Sequence, residues 1–214
     1  VSKHGLIVLI IITGLFYIFL APRDPLFVSV LFKVIPMIGI ILYAYLRIIR
    51  TSKVTSFEKV MVVGIIVCAV ADAAIAITFI AGLVIFLLGH IVYICGFAMK
   101  INWSLKHFSI IIPLLIIGAV YGHLLIQNIQ SQEASLIGPV VVYIIVISVM
   151  VVMAFLTRNP FAMIGSLLFY LSDAVLAWNM FVESLTYSTV YIMSTYYSAQ
   201  LLIAHSINKI ANKS

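Results

Sequence analysis

The sequence predicts an all-α fold: a polytopic membrane protein, an eight-transmembrane-helix bundle forming one integral membrane domain over residues 1–214. Three observations predict it. Hydrophobic residues fill 65% of the chain and charged residues only 8%, against about 25% charged in a soluble domain, and mean hydropathy is +1.29. The apolar residues fall in runs close to the roughly 20 needed to cross about 30 Å of hydrocarbon. The basic residues gather in alternate connections. Together these exclude a disordered chain, a secreted disulfide scaffold and a water-soluble enzyme. Strict polar–apolar alternation is absent, so the spans are helices and not barrel strands.

The eight segments are Gly5–Leu20, Leu26–Ile49, Lys59–Ile80, Gly82–Met99, His107–Ile126, Ile137–Thr157, Phe161–Phe181 and Tyr187–Ile207. The first is short; no small-x-small cleavage site precedes Pro22, so it reads as a span and not a signal peptide. The second carries Lys33 and, three residues on, Pro36. Only Phe79 to Gly82 separates the third from the fourth. One helix from Lys59 to Met99 would be about 60 Å long, too long for one crossing, so a tight helical hairpin is expected. Gly82, Gly89 and Gly96 mark one smooth stripe on the fourth segment, and Gly118 and Gly122 form a GxxxG in the fifth. Small residues at these spacings pack helices. Trp103 and Trp178 read as interfacial belt residues. Cys68 and Cys95 form no redox or zinc pattern and read as small buried hydrophobes.

The count of eight puts both termini on one side with Lys3, Arg47, Arg50, Lys53, Lys59, Lys100, Lys106, Arg158, Lys209 and Lys213; the other side has Arg23, Asp24, Glu133 and Glu183. Ten basic residues against one predicts a cell-membrane protein with both termini cytoplasmic. The net charge of +6 is spread over short loops, without the cluster that nucleic acid binding requires. Expected partners are therefore bilayer lipids and no nucleic acid.

Two of the six acids lie at mid-membrane. Asp72 is thirteen residues past Lys59 and Asp173 thirteen past Pro160, each about 20 Å from the cytoplasmic end of its helix. The third and seventh segments share an Asp-Ala step at matching depth, a faint echo that suits a parallel 4+4 repeat. An ionisable group at this depth costs several kcal/mol unless it faces protein or water, and it reads as functional by default. Two such acids sharing one pocket can hold a proton between them, as an acid and a base. The bland reading is two protonated carboxyls tying helices together. Lys33 has three readings: snorkelling outward, pairing with an acid, or holding a lipid phosphate. His90 is either a tether to an aspartate or part of an active site, with Tyr93 on its face. Tyr196 and Gln200, four residues apart, line a headgroup pocket or glue helices. No GxSxG, HExxH, Walker or dinucleotide motif is present, and no spacing supports a metal site, so no cofactor is expected.

These residues resemble the YhhN-like membrane proteins, which include the lysoplasmalogenases. The match is carried by Lys33-Val-Ile-Pro36-Met37; by Asp72, Gly82, Phe86, His90 and Tyr93; by the run Gly165 to Phe181 containing Ser172, Asp173, Trp178 and Asn179; and by Tyr196-Tyr197-Ser-Ala-Gln200. The pieces stand in family order over most of the chain. The family often has Gly before the first Asp, where this sequence has Ala71. The resemblance implies an eight-span bundle and hydrolysis of the vinyl ether bond of lysoplasmalogens, yielding a fatty aldehyde and glycerophosphoethanolamine or glycerophosphocholine. It implies Asp72 and Asp173 as catalytic acids, with Lys33, His90, Tyr93, Ser172, Asn179, Tyr196 and Gln200 binding a lysophospholipid substrate or supporting the site. The competing readings are a proton-coupled small-molecule transporter and another intramembrane lipid hydrolase, including one with a metal at His90 and the acids.

Overall fold

The computed structural model describes residues 3–49, 54–101, 111–129 and 134–211. Arg50, Lys53, Trp103, Lys106, His107, Glu133 and Lys213 lie outside the described residues. The helices are α1 (Lys3–Phe19), α2 (Leu26–Ile48), α3 (Ser56–Ile77), α4 (Phe79–Ala98), α5 (Ile111–Ile129), α6 (Ile137–Leu156, entered through a 3-10 turn), α7 (Pro160–Phe181) and α8 (Ser188–Ala211). The expected segments match these within a few residues.

Local chemistry sets the boundaries. Thr55 and Glu58 form a capping box at the start of α3: the Glu58 N–H donates to Thr55 Oγ1 at 3.3 Å and the Thr55 N–H donates to Glu58 Oε2 at 2.8 Å, which satisfies two orphan donors. Asn159 accepts from the Phe161 and Ala162 N–H groups, and Pro160 follows as the first residue of α7, where its missing N–H costs nothing. The break between α3 and α4 is one residue. Thr78, extended at φ −145° and ψ 141°, ends α3 and caps α4 by accepting from the Ala81 N–H.

Glycine sets how closely that hairpin closes. A Cβ at Gly89 would lie 2.8 Å from Cys68 Sγ, and one at Gly96 would lie 2.5 Å from Met61 Sδ. At Gly82 it would collide with Ile75. The expected stripe is therefore the seam between α3 and α4. Across the molecule, α7 packs on α8, α1 on α2, and α4 on α6, while α8 also meets α1, α2 and α3. This central position explains the polarity of α8: Tyr196, Gln200, Ser206 and Asn208 are buried in protein and not in lipid.

Six of these helices, α2 to α7, are long and apolar enough to cross a membrane; α1 is a shorter apolar helix, and α8 falls outside on composition. Large apolar side chains cover the outside, including Phe27, Leu31, Ile77, Ile116 and Val120. One expectation is corrected: Cys68 is buried, but Cys95 is exposed on the outer face of α4. In an apolar exterior an exposed thiol meets no penalty, so an apolar run alone does not place a cysteine inside.

Gly89→Leu is expected to lower stability by about 1–3 kcal/mol through overpacking. Thermal unfolding in detergent would read this as a lower Tm, and an unchanged Tm would mean that α3 and α4 do not close through this stripe.

Candidate functional site

The two aspartates sit in different polar surroundings. Lys33 Nζ lies 3.1 Å from Asp72 Oδ1, with side-chain exposures of 14% and 2%. The Tyr196 hydroxyl donates to Asp72 Oδ2 at 2.7 Å. Both carboxylate oxygens are thus engaged, one by a cation and one by a phenol. Lys33 is itself held. The Tyr197 hydroxyl donates to its backbone carbonyl at 2.7 Å, next to the turn that Pro36 deprives of a donor. Of the three readings for Lys33, the ion pair is the one found.

Asp173 accepts from the Tyr143 hydroxyl at 2.6 Å through Oδ2. His90 Nε2 faces the same oxygen at 3.6 Å. The other ring nitrogen of His90, Nδ1, is 2.8 Å from the Phe86 carbonyl one turn back. A carbonyl can only accept, so Nδ1 carries the hydrogen. In the neutral ring Nε2 then presents a lone pair toward Asp173, and it has no hydrogen-bond partner among the described residues. Two acceptors face each other, and a proton on one of them makes the contact favourable. His90 is fully buried, while the Asp173 side chain is 11% exposed.

That exposure opens into a cavity. It is lined by Phe79, Leu83 and Phe86 of α4, Tyr121 of α5, Tyr143 of α6, and Tyr170, Asp173 and Phe181 of α7, with further apolar residues around them. Its volume is about 40 Å³, room for a few waters. The lining runs from Asp173 toward the end of the bundle formed by the α3–α4 turn. Asp72 does not line it, which corrects the expectation of one pocket holding both acids. Aromatic rings stand between. Phe86 and Phe169 pack edge-on against Tyr196 at 5.8 and 5.4 Å, and Phe169 lies 4.6 Å from the His90 ring.

The remaining expected residues bond to protein groups away from the cavity. The Tyr93 hydroxyl donates to Gln200 Oε1 at 2.6 Å, and its ring rests on Gly64; this pair joins α4 to α8. The Ser172 hydroxyl donates to the Ile192 carbonyl, tying α7 to α8. Asn179 Oδ1 accepts from the Leu185 N–H and closes the connection after α7. Sequence reasoning missed Tyr143 and left Tyr170 and Tyr121 unread. The available signal was a hydroxyl in the middle of an otherwise apolar span, since a buried phenol seeks a partner. Among the described residues, no group of three His, Cys, Asp or Glu side chains converges as metal ligands would.

Comparison with known proteins fixes the family. The model of the YhhN family matches residues 28–207, a stretch that contains Lys33, both aspartates, His90 and Gln200. The chain belongs to the YhhN family. Among its relatives, human lysoplasmalogenase TMEM86B (Homo sapiens) is 36% identical over 148 residues, covering 67% of this chain and 61% of the human protein. Rat lysoplasmalogenase TMEM86B (Rattus norvegicus) is 28% identical over 200 residues, 92% of this chain and 81% of the relative. Bovine lysoplasmalogenase TMEM86A (Bos taurus) is 27% identical over 205 residues, 89% and 82%. No solved structure matches this YhhN chain.

The ion pair yields a direct expectation. Lys33→Met leaves the Asp72 carboxylate buried and unpaired, which costs about 3–5 kcal/mol. Adding Asp72→Asn should restore most of that loss. A double-mutant cycle on thermal unfolding checks it, and strictly additive losses would mean that the two side chains do not interact.

Proposed function

We propose that this YhhN-family protein hydrolyses the vinyl ether bond of lysoplasmalogens, with Asp173 as the proton donor. The observation that carries the reading is the placement of Asp173. It is the acid that lines the cavity, and its contact with the His90 lone pair calls for a proton. The names of the relatives, lysoplasmalogenases, give the substrate class. A vinyl ether is cleaved by protonating its terminal carbon. Asp173 supplies that proton, and an oxocarbenium ion forms. Water adds to the cation while the Asp173 carboxylate takes back a proton, and the hemiacetal then collapses to fatty aldehyde and glycerophosphoethanolamine or glycerophosphocholine. Asp72, held by Lys33 and Tyr196 behind the aromatic wall, supports the helix packing around the cavity. His90 and Tyr143 hold Asp173 in position and share its proton.

A transporter reading is weaker on one observation. Beyond Asp72 and His90 the core is closed by Phe57, Met61, Ile65 and Phe97, each at most 1% exposed, whereas the Asp173 cavity opens toward the opposite end. A one-sided cavity suits a hydrolase fed from one leaflet. The basic-residue asymmetry supports eight crossings with both ends of this chain cytoplasmic, α1 and α8 completing the six apolar spans.

Purified protein is expected to release aldehyde from lysoplasmenylcholine or lysoplasmenylethanolamine without added metal. Asp173→Asn should lower turnover by about 100-fold or more, and Asp72→Asn should lower it as well. Full turnover by folded Asp173→Asn would sink the acid role, and an inactive wild type on both substrates would return weight to transport. Reporter fusions at Ser2 and Ser214 should both read cytoplasmic; an external reading at either end would reject the topology.

A further inference from the structure

The cavity holds a second polar group that the reaction as written does not use. Tyr170 lines it, and the Tyr170 hydroxyl is buried with no hydrogen-bond partner among the described residues. The two other phenols of the cavity are committed: Tyr121 donates to the Ala174 carbonyl and Tyr143 to Asp173. A buried hydroxyl left unpaired is destabilising, and a bound water would satisfy it. Tyr170 stands three residues before Asp173 on α7, so both side chains share one face of that helix. Asp173 uses Oδ2 for Tyr143 and for the approach to His90, leaving Oδ1 outside both contacts. Gly118 of α5 borders the Tyr170 hydroxyl from the other side. A Cβ at Gly118 of α5 would stand 3.3 Å from the Tyr170 hydroxyl oxygen.

We propose that Tyr170 and Asp173 form the binding site of the hydrolytic water. This rests on the vinyl ether reading above for its role and on the cavity alone for its existence. The remaining lining is almost wholly apolar, and a buried water needs two to four polar partners; these two side chains supply them at the place where room for water exists. The bound water accepts from the Tyr170 hydroxyl and donates one hydrogen to Asp173. Its second lone pair is left for the oxocarbenium carbon. When the carbon–oxygen bond forms, the Asp173 carboxylate, having already delivered its proton to the terminal carbon, takes the proton that water loses. Atoms and charge balance, and no co-reactant beyond water enters. Gly118 leaves the Tyr170 hydroxyl its place.

The test has a structural arm and a product arm. A high-resolution structure of the wild type should show water in contact with Tyr170 Oη and Asp173, and the Tyr170→Phe structure should lack it. In turnover with methanol as a competing nucleophile, wild type should give mainly aldehyde. Tyr170→Phe should lower kcat about 10- to 100-fold, through loss of positioning, with KM nearly unchanged, and should raise the ratio of methyl mixed acetal to aldehyde. Gly118→Ala, made on another helix, should shift the ratio in the same direction, and should add no further shift when combined with Tyr170→Phe. A wild-type cavity without this water, or a product ratio unmoved by Tyr170→Phe, overturns the proposal. An inactive wild type with the water in place overturns the vinyl ether reading and leaves the water site standing.

Discussion

Burying a carboxylate in a medium that solvates charge poorly is the constraint on which this structure turns. Each aspartate must gather its own partners from other helices, because lipid offers none. Asp72 takes a cation from α2 and a phenol from α8. Asp173 takes a phenol from α6 and a lone pair from α4. Between them these contacts draw in six of the eight described α-helices. The first set neutralises its charge, whereas the second is neutral only with a proton inside it.

Those contacts work only where backbones come close. Gly82, Gly89 and Gly96 bring α4 onto α3, and Gly165 brings α7 onto α8, where an added Cβ would lie 3.1 Å from the Ala199 carbonyl. Without a hydrophobic drive between helices in lipid, this close approach and the hydrogen bonds it permits supply much of the association. Tyr93 with Gln200, and Ser172 with the Ile192 carbonyl, belong to that frame. They fix the depth at which His90, Tyr196 and Asp173 meet.

The frame was largely legible in the sequence. Hydropathy gave the spans, and the length argument required the α3–α4 hairpin. Its position at Thr78 escaped notice because a single extended Thr between apolar runs carries no charge, Gly or Pro. Helix rise placed Asp72 and Asp173 at equal depth, but depth along an axis says nothing about rotation around it. For that reason one shared pocket was expected and only Asp173 was found in the cavity. Lys33 could be given three fates from sequence, and only tertiary packing selects the ion pair. Tyr143 and Tyr170 were unreadable for a related reason. In an apolar span a Tyr serves equally as belt, core or ligand, until the neighbouring helix is known.

The two sites correspond in a particular way. In each, the third helix of one half carries the acid, the second helix of the same half sends one partner, and the fourth helix of the opposite half sends the other: Lys33, Asp72 and Tyr196 against Tyr143, Asp173 and His90. The outer helices depart from this correspondence, since α1 packs on α2 and α8 while α5 packs on α6 and α7. The decisive difference is chemical. A lysine in the partner position of the first site supplies a counter-charge to Asp72. A tyrosine in the matching position of the second site supplies only a hydrogen bond, and the charge of Asp173 stays unbalanced in a buried setting. With a cavity beside it and a histidine lone pair behind it, that imbalance is the reason the proposed reaction assigns the proton transfer to Asp173, of two acids at one depth.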